Sequence, residues 1–225
     1  MYDLKIWFLL FIFYSFVGWI IEIINVSFIE KKLVNRGFLI GPYCPVYGIG
    51  AVLMLLILNK YVKDPKVVFG MGILICGTLE YLTSYIMEKL FKARWWDYSK
   101  NKFNLNGRIC LLNLILFGIG GVILICFVNP TILNIVKLLP EIILNIVVLT
   151  ILILFLSDLC ISFKIIFEFK NLASSIRKDS TEEIKERVKS ILKAKSIFSR
   201  RLINSFPNLQ LRLKQYTNKR KKIAK

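Results

Sequence analysis

Five stretches of this chain stay apolar for so long that they restrict its solvent before they restrict its shape: residues 7–28, 47–62, 67–90, 109–128 and 142–163. A bilayer hydrocarbon core about 30 Å thick asks for about 20 apolar residues per helix. Hydrocarbon offers no partner to an open backbone group, so only helices and closed barrels can cross it. Barrel strands would read as segments of about 10 residues alternating in polarity, and no such alternation runs through these blocks. The expected fold is therefore all-α: a polytopic transmembrane bundle of about five helices. Asn59 and Lys60 interrupt the second block, so Lys60 has to snorkel toward a headgroup. Asn129 and Pro130 are expected to stop the fourth, leaving residues 131–141 to lie in the interface. Residues 1–6 carry no basic region and no small-residue cleavage site follows, so the first block reads as a retained helix and not as a signal peptide.

The 32 Lys and Arg outnumber the 14 Asp and Glu, for a net charge of +18. These cations flank apolar blocks or sit in one tail, which points to topology and anionic lipid and away from nucleic acid. Lys31, Lys32 and Arg36 fall in one loop, and Lys89, Lys92, Arg94, Lys100, Lys102 and Arg108 in another. The opposite side would hold only Lys5, Lys60, Lys63, Lys66 and Lys137. The positive-inside rule then predicts a cell-membrane protein with its N-terminus outside and its C-terminus in the cytoplasm. The bundle is expected to occupy residues 1–168 and a basic cytoplasmic tail residues 169–225. In that tail Ser180 and Glu183 have capping-box spacing, and Ile184, Val188, Ile191, Phe198 and Leu202 mark one helical face up to Pro207. The five cysteines are scattered without a C-x-x-C pair, and the chain has no histidine, so they read as reduced packing residues. No cofactor or metal is implied.

Two stretches read alike. Glu22 precedes Glu30-Lys31 as Glu80 precedes Glu88-Lys89; Asn35-Arg36-Gly37 is answered by Asn106-Gly107-Arg108, and Gly48-Ile49-Gly50 by Gly118-Ile119-Gly120. The pattern is that of two parallel hairpin repeats, about residues 7–62 and 67–128. The plainer alternative is chance matching of Glu-Lys pairs at membrane boundaries.

Glu22, Glu80 and Asp158 are acids inside predicted membrane helices, where an ionised group is costly and by default marks function. At 1.5 Å per residue, Glu22 and Glu80 each lie roughly 12 Å from Glu30 or Glu88 of the same helix, at one common depth. The alternative is packing, with each acid paired to a basic or hydroxyl neighbour; Lys164 follows Asp158 closely. The loop from Asn35 through Arg36, Tyr43 and Tyr47 to Gly48 carries two Pro and several Gly, and is expected to be re-entrant or packed on the bundle. The other inner loop contains Arg94-Trp95-Trp96-Asp97-Tyr98 and Asn104-Leu105-Asn106-Gly107-Arg108. Arg36, Arg94 and Arg108 could grip a phosphate or anionic headgroup with planar forks, and Trp95, Trp96 and Tyr98 supply amphipathic faces. An aromatic belt with positive-inside charges is the simpler account of Trp95 and Trp96. Without histidine, the Ser-His and Cys-His nucleophile pairs are excluded, and no phosphate-binding G-x-x-x-x-G-K-[ST] loop occurs. The balance is against an enzyme, and no spacing singles out Mg²⁺ on Glu22, Glu80 and Asp97.

The runs Tyr14 to Glu22, Asn35 to Gly48, Leu79 to Tyr85, Ala93 to Tyr98 and Phe103 to Arg108 resemble the type IV ABC-transporter permease group of bacterial membrane proteins, over about residues 11–127. The resemblance implies a transport-associated permease subunit, oligomeric because five helices are few, with an ATPase supplied by another chain. Two other expectations stand beside it: a membrane enzyme or binding protein for a phosphorylated lipid at the inner face, and a regulatory scaffold acting through the tail.

Overall fold

The computed structural model describes residues 3–31, 37, 39–91, 93–175 and 210–211. In order the helices are α1 (Leu4–Glu30), α2 (Pro45–Leu58), α3 (Pro65–Phe91), α4 (Leu111–Ile123), α5 (Asn129–Lys137) and α6 (Glu141–Ser175). A 3-10 turn, Asn59–Tyr61, extends α2, and a π-turn, Leu124–Val128, joins α4 to α5. Four helical segments are long and apolar enough to cross a membrane: Leu4–Phe28, Pro65–Phe91, Leu111–Lys137 and Glu141–Phe167. Pro45–Tyr61 is apolar but shorter. The chain is thus a helical membrane protein, and five apolar segments stand where five were expected.

The fourth segment differs from expectation. Neither Asn129 nor Pro130 ends it, and residues 131–137 continue the helix, within one apolar segment Leu111–Lys137. Proline lacks an N–H, and its ring collides with the carbonyl four residues back in a regular helix. Here the turn before it is widened: the Asn129 N–H bonds to Leu124 O, five residues back, which relieves that register and lets α5 carry on. At the other end, Ile109–Cys110 is a strand and the helix begins at Leu111. The last helix runs without a break across the expected bundle–tail boundary at residue 168, as far as Ser175. The predicted tail helix of residues 180–202 lies outside the described residues. Gln210–Leu211 pairs antiparallel with Ala93–Arg94, so a piece of the tail returns to the loop after α3.

α2 is short because the chain before it dips into the bundle. The Cys44 N–H donates to Ser15 O at 2.9 Å, and Ser15 lies near the middle of α1. Leu39 is buried against Ile12 and Phe155, and the Tyr43 ring meets Phe155 edge-on at 5.9 Å. Asp158 of α6 holds this descent, accepting from the backbone N–H of Ile40 (2.9 Å) and Gly41 (2.6 Å) and from Ser162 Oγ (2.9 Å). Two charge-assisted bonds to a loop that has no ladder of its own satisfy groups hydrocarbon would leave open. Residues 39–44 are thus packed on the bundle, the second of the two courses expected for this loop.

Leu10, Tyr14, Met54, Leu55, Leu58, Val68, Ile125 and Leu133 form the main core between α1, α2, α3 and the α4–α5 segment. Small residues allow the close approach on which membrane helices rely for packing. A Cβ on Gly48 would overlap Ser15 Oγ and the backbone O of Phe11, and one on Gly118 would stand 2.6 Å from the Phe69 ring and 3.0 Å from Ile73. The outward faces stay apolar and uncovered, as with Ile142, Ile146, Leu149 and Ile153 of α6.

Candidate functional site

Because α2 starts midway through the bundle, the half beside the loops is closed by side chains in place of a helix. Tyr47, in the first turn of α2, points back along its helix and donates to Glu22 Oε1 at 2.9 Å. Gly18 makes this possible, since any Cβ there would enter the Tyr47 ring. On the α3 side, Glu80 Oε1 lies 3.3 Å from Tyr98 OH and 3.5 Å from Asn113 Nδ2 of α4. Glu80 Oε2 is buried and has no hydrogen-bond partner among the described residues. Tyr98 bonds Glu80 and lies within the electrostatic reach of Glu22: burial foremost, then the carboxylates of Glu80 and Glu22, raises its phenol above the ordinary value near 10. The site is thus a pair of membrane-embedded carboxylates, one from α1 and one from α3, faced by two phenols and an amide.

Tyr98 is delivered by a structured loop. β1 (Ala93–Arg94) leaves α3, and β2 (Asn104–Leu105) pairs antiparallel with β3 (Ile109–Cys110). Asn106 and Gly107 have φ of 53° and 63°, and the Arg108 N–H bonds back to Leu105 O at 3.0 Å. This is a type I′ turn, for which Asn-Gly is the favoured pair. Gly107 is also required sterically, because a Cβ would strike Ser99 Oγ and Asp97 Oδ1. The Tyr98 N–H donates to Gly107 O at 2.8 Å, so the turn fixes the backbone that aims Tyr98 at Glu80.

A buried ion cluster fastens this loop to α3. Glu88 Oε2 lies 2.8 Å from Arg108 Nη2 and 3.6 Å from Arg94 Nε. Arg94 also donates to Asp97 Oδ1 (3.1 Å) and to Asn106 O, and Arg108 donates to Ser84 Oγ (3.2 Å) while lying over the rings of Tyr81 and Tyr85. Both guanidiniums are buried. Charges so placed are tolerable because each has opposite charge and further bonds.

The expected site residues therefore separate into groups. Glu22, Tyr47, Glu80 and Tyr98 come together. Arg94, Asp97, Asn104, Asn106 and Arg108 build the loop that carries Tyr98: Asn104 accepts from the Gly107 N–H (2.9 Å), and Asn106 Nδ2 donates to Tyr81 OH (3.0 Å). Trp96 Nε1 donates to Arg108 O at 3.1 Å. Trp95 packs into a core with Phe91 and Ile166, and Tyr43 packs on Phe155. Asn35 and Arg36 lie outside the described residues. Asn113 and the anchoring Glu88 were not among the sequence candidates. An amide in the otherwise apolar start of α4 was the available signal for Asn113, as the Asn-Gly pair was for the hairpin. Among the described residues no three His, Cys, Asp or Glu side chains are placed to share a metal ion.

A family model described as "Putative ABC-transporter type IV" matches residues 9–163. No curated protein and no solved structure matches this chain.

Proposed function

Since the chain belongs to that ABC-transporter family, we propose that it is a transport-associated membrane subunit whose Glu22–Glu80 pair is the charge-bearing point of a solute pathway. One observation carries this reading: Glu80, within a membrane-crossing helix, is met by a phenol and an amide, and no Lys or Arg pairs with it among the described residues. A carboxylate so placed is costly while ionised, and a proton or a cationic group of a passing solute relieves that cost. A purely structural acid would be expected to resemble Asp158, whose two oxygens are taken up by backbone N–H groups.

The repeat reading supports a site between two halves. Phe11 and Ser15 lie under Gly48 as Phe69 and Ile73 lie under Gly118. Phe11 precedes Glu22 by the same number of residues as Phe69 precedes Glu80. Each acid bonds the even-numbered helix of its own hairpin, Glu22 through Tyr47 and Glu80 through Asn113. In this reading α1–α2 and α3–α4 are parallel repeats, and the solute passes where they meet. The loop side is cytoplasmic by its Lys and Arg content, and an ATPase from another chain acts there. Arg94 and Arg108 serve as anchors of the loop that closes this mouth, since both guanidiniums are engaged by Glu88.

Purification from native membranes in mild detergent tests the reading. An ATP-hydrolysing chain should co-purify, and Glu80→Gln should retain that assembly while altering uptake or efflux. If no ATPase accompanies the protein and Glu80→Gln leaves every transport phenotype intact, the proposal fails.

A further inference from the structure

The loop that carries Tyr98 and is closed by the β2–β3 hairpin has two unlike faces. Toward the bundle it is sealed, with Gly107, Arg108, Ile109 and Cys110 all buried. Away from the bundle it presents Phe103, 80% exposed, and Leu105, 59% exposed, beside the exposed Lys100 and Lys102. Phe103 has φ of 52°, a left-handed backbone that a bulky side chain adopts only when the surroundings impose it. Two contacts impose it: Phe103 O accepts from the Leu111 N–H at 3.2 Å, and the neighbouring Asn104 is fixed in β2 opposite Cys110. A strained backbone thus turns an aromatic ring outward from a loop that is otherwise packed inward.

We propose that the outward face of this loop, residues 100–105, is a membrane-docking surface, with Phe103 and Leu105 inserted at the headgroup–acyl boundary and Lys100 and Lys102 on the phosphates of anionic lipids. A lipid surface is favoured over a protein partner on two grounds. The first is continuity: Phe103 is bonded to the first residue of α4, whose Leu111 and Leu112 are themselves exposed at 44% and 61% and begin a segment that crosses the membrane. That segment, Leu111–Lys137, is 27 residues, about 40 Å of helix, which is longer than the hydrocarbon core, so it has length to spare for its first turn, and Phe103 with it, to sit in the interfacial layer. The second is charge: two lysines flanking exposed apolar side chains form the pattern that gains both from apolar insertion and from an anionic surface. Through the Tyr98–Glu80 bond, the same loop would link leaflet charge to the carboxylate pair. The docking itself rests on α4 crossing the membrane and not on the transport reading.

The test compares wild type with Phe103→Trp in nanodiscs of phosphatidylcholine and of a phosphatidylcholine–phosphatidylglycerol mixture, each with and without brominated acyl chains. The emission that the introduced indole adds over wild type should be blue-shifted, and bromination should remove most of it, more completely in the phosphatidylglycerol mixture at low salt. Lys100→Glu with Lys102→Glu should abolish that dependence on phosphatidylglycerol, while circular dichroism and a single size-exclusion peak report an intact fold. Added emission at the wavelength of water-exposed indole, unquenched in both lipids, would overturn the docking. Quenching equal in both lipids would overturn the anionic component. An introduced indole shielded only after an ATPase chain binds would assign the surface to a protein instead. Nanodiscs present both leaflets alike, so an error in the proposed orientation cannot imitate any of these results.

Discussion

Gly48→Ala is the substitution whose consequence follows most directly from the packing of α1 on α2. The added methyl would overlap Ser15 Oγ and the backbone O of Phe11, and would stand 2.8 Å from Phe11 Cδ2, where ordinary contact begins at 3.4 Å. A side chain can rotate away, but a helix carbonyl cannot, so α2 must retreat from α1 by about 1 Å to relieve a contact of this kind. A gap of about 0.5–1 Å forfeits a quarter to a half of the dispersion energy of the atoms facing it. Overpacking of this type costs about 1–3 kcal/mol, and the rigid obstacle argues for the upper part of that range. Two further glycines serve as controls. At Gly118 the obstacles are side-chain atoms of Phe69 and Ile73, which can shift, so Gly118→Ala should cost about 1 kcal/mol. Gly120 has nothing within 4 Å, and Gly120→Ala should be neutral or gain up to about 1 kcal/mol from helix propensity. Reversible unfolding of the purified protein in mixed micelles of increasing denaturing detergent measures all three. Midpoints ordered Gly48→Ala, Gly118→Ala, Gly120→Ala from least to most stable are expected. Equal midpoints for Gly48→Ala and Gly120→Ala would refute the close approach of the two helices, and with it the placement of Tyr47 against Glu22.

Two further outcomes follow from the loop. Glu88→Gln leaves Arg94 and Arg108 buried without their shared carboxylate and should lower stability by about 3–5 kcal/mol, against within about 0.5 kcal/mol for the exposed Lys100→Gln, in the same unfolding assay. Tyr98 should ionise above the range of ordinary tyrosines, which a phenolate absorbance titration of wild type against Tyr98→Phe detects. Its folded-state value is raised, so the protein holds this proton more tightly when folded. The resulting stability is complete below about pH 10 and is lost as pH climbs through the folded value.

Membrane crossing was legible from length and hydropathy alone, because burying apolar blocks in lipid needs no knowledge of what they touch. Glu22, Glu80 and Asp158 also declared themselves, since an acid inside an apolar block is conspicuous wherever it falls. Their roles did not. Asp158 holds two backbone N–H groups of a loop far away in sequence, whereas Glu80 meets Tyr98 and Asn113. Pro130 misled because a proline is read from local preference, while the π-turn ahead of it is an accommodation within a packed bundle.

The arginines show the same division. Their residue type and loop position said only that cation and fork were available, to a headgroup or to a neighbour. The tertiary structure placed Glu88 against both Arg94 and Arg108 and buried the two guanidiniums, so each fork meets a neighbour's carboxylate. Hydropathy is a sum over a segment and survives without coordinates, so the sequence by itself determined a helical membrane protein. Which charge meets which depends on distances of a few ångströms between residues far apart in the chain, and only the folded bundle decided that Glu22 would meet Tyr47 and Glu80 would meet Tyr98 and Asn113.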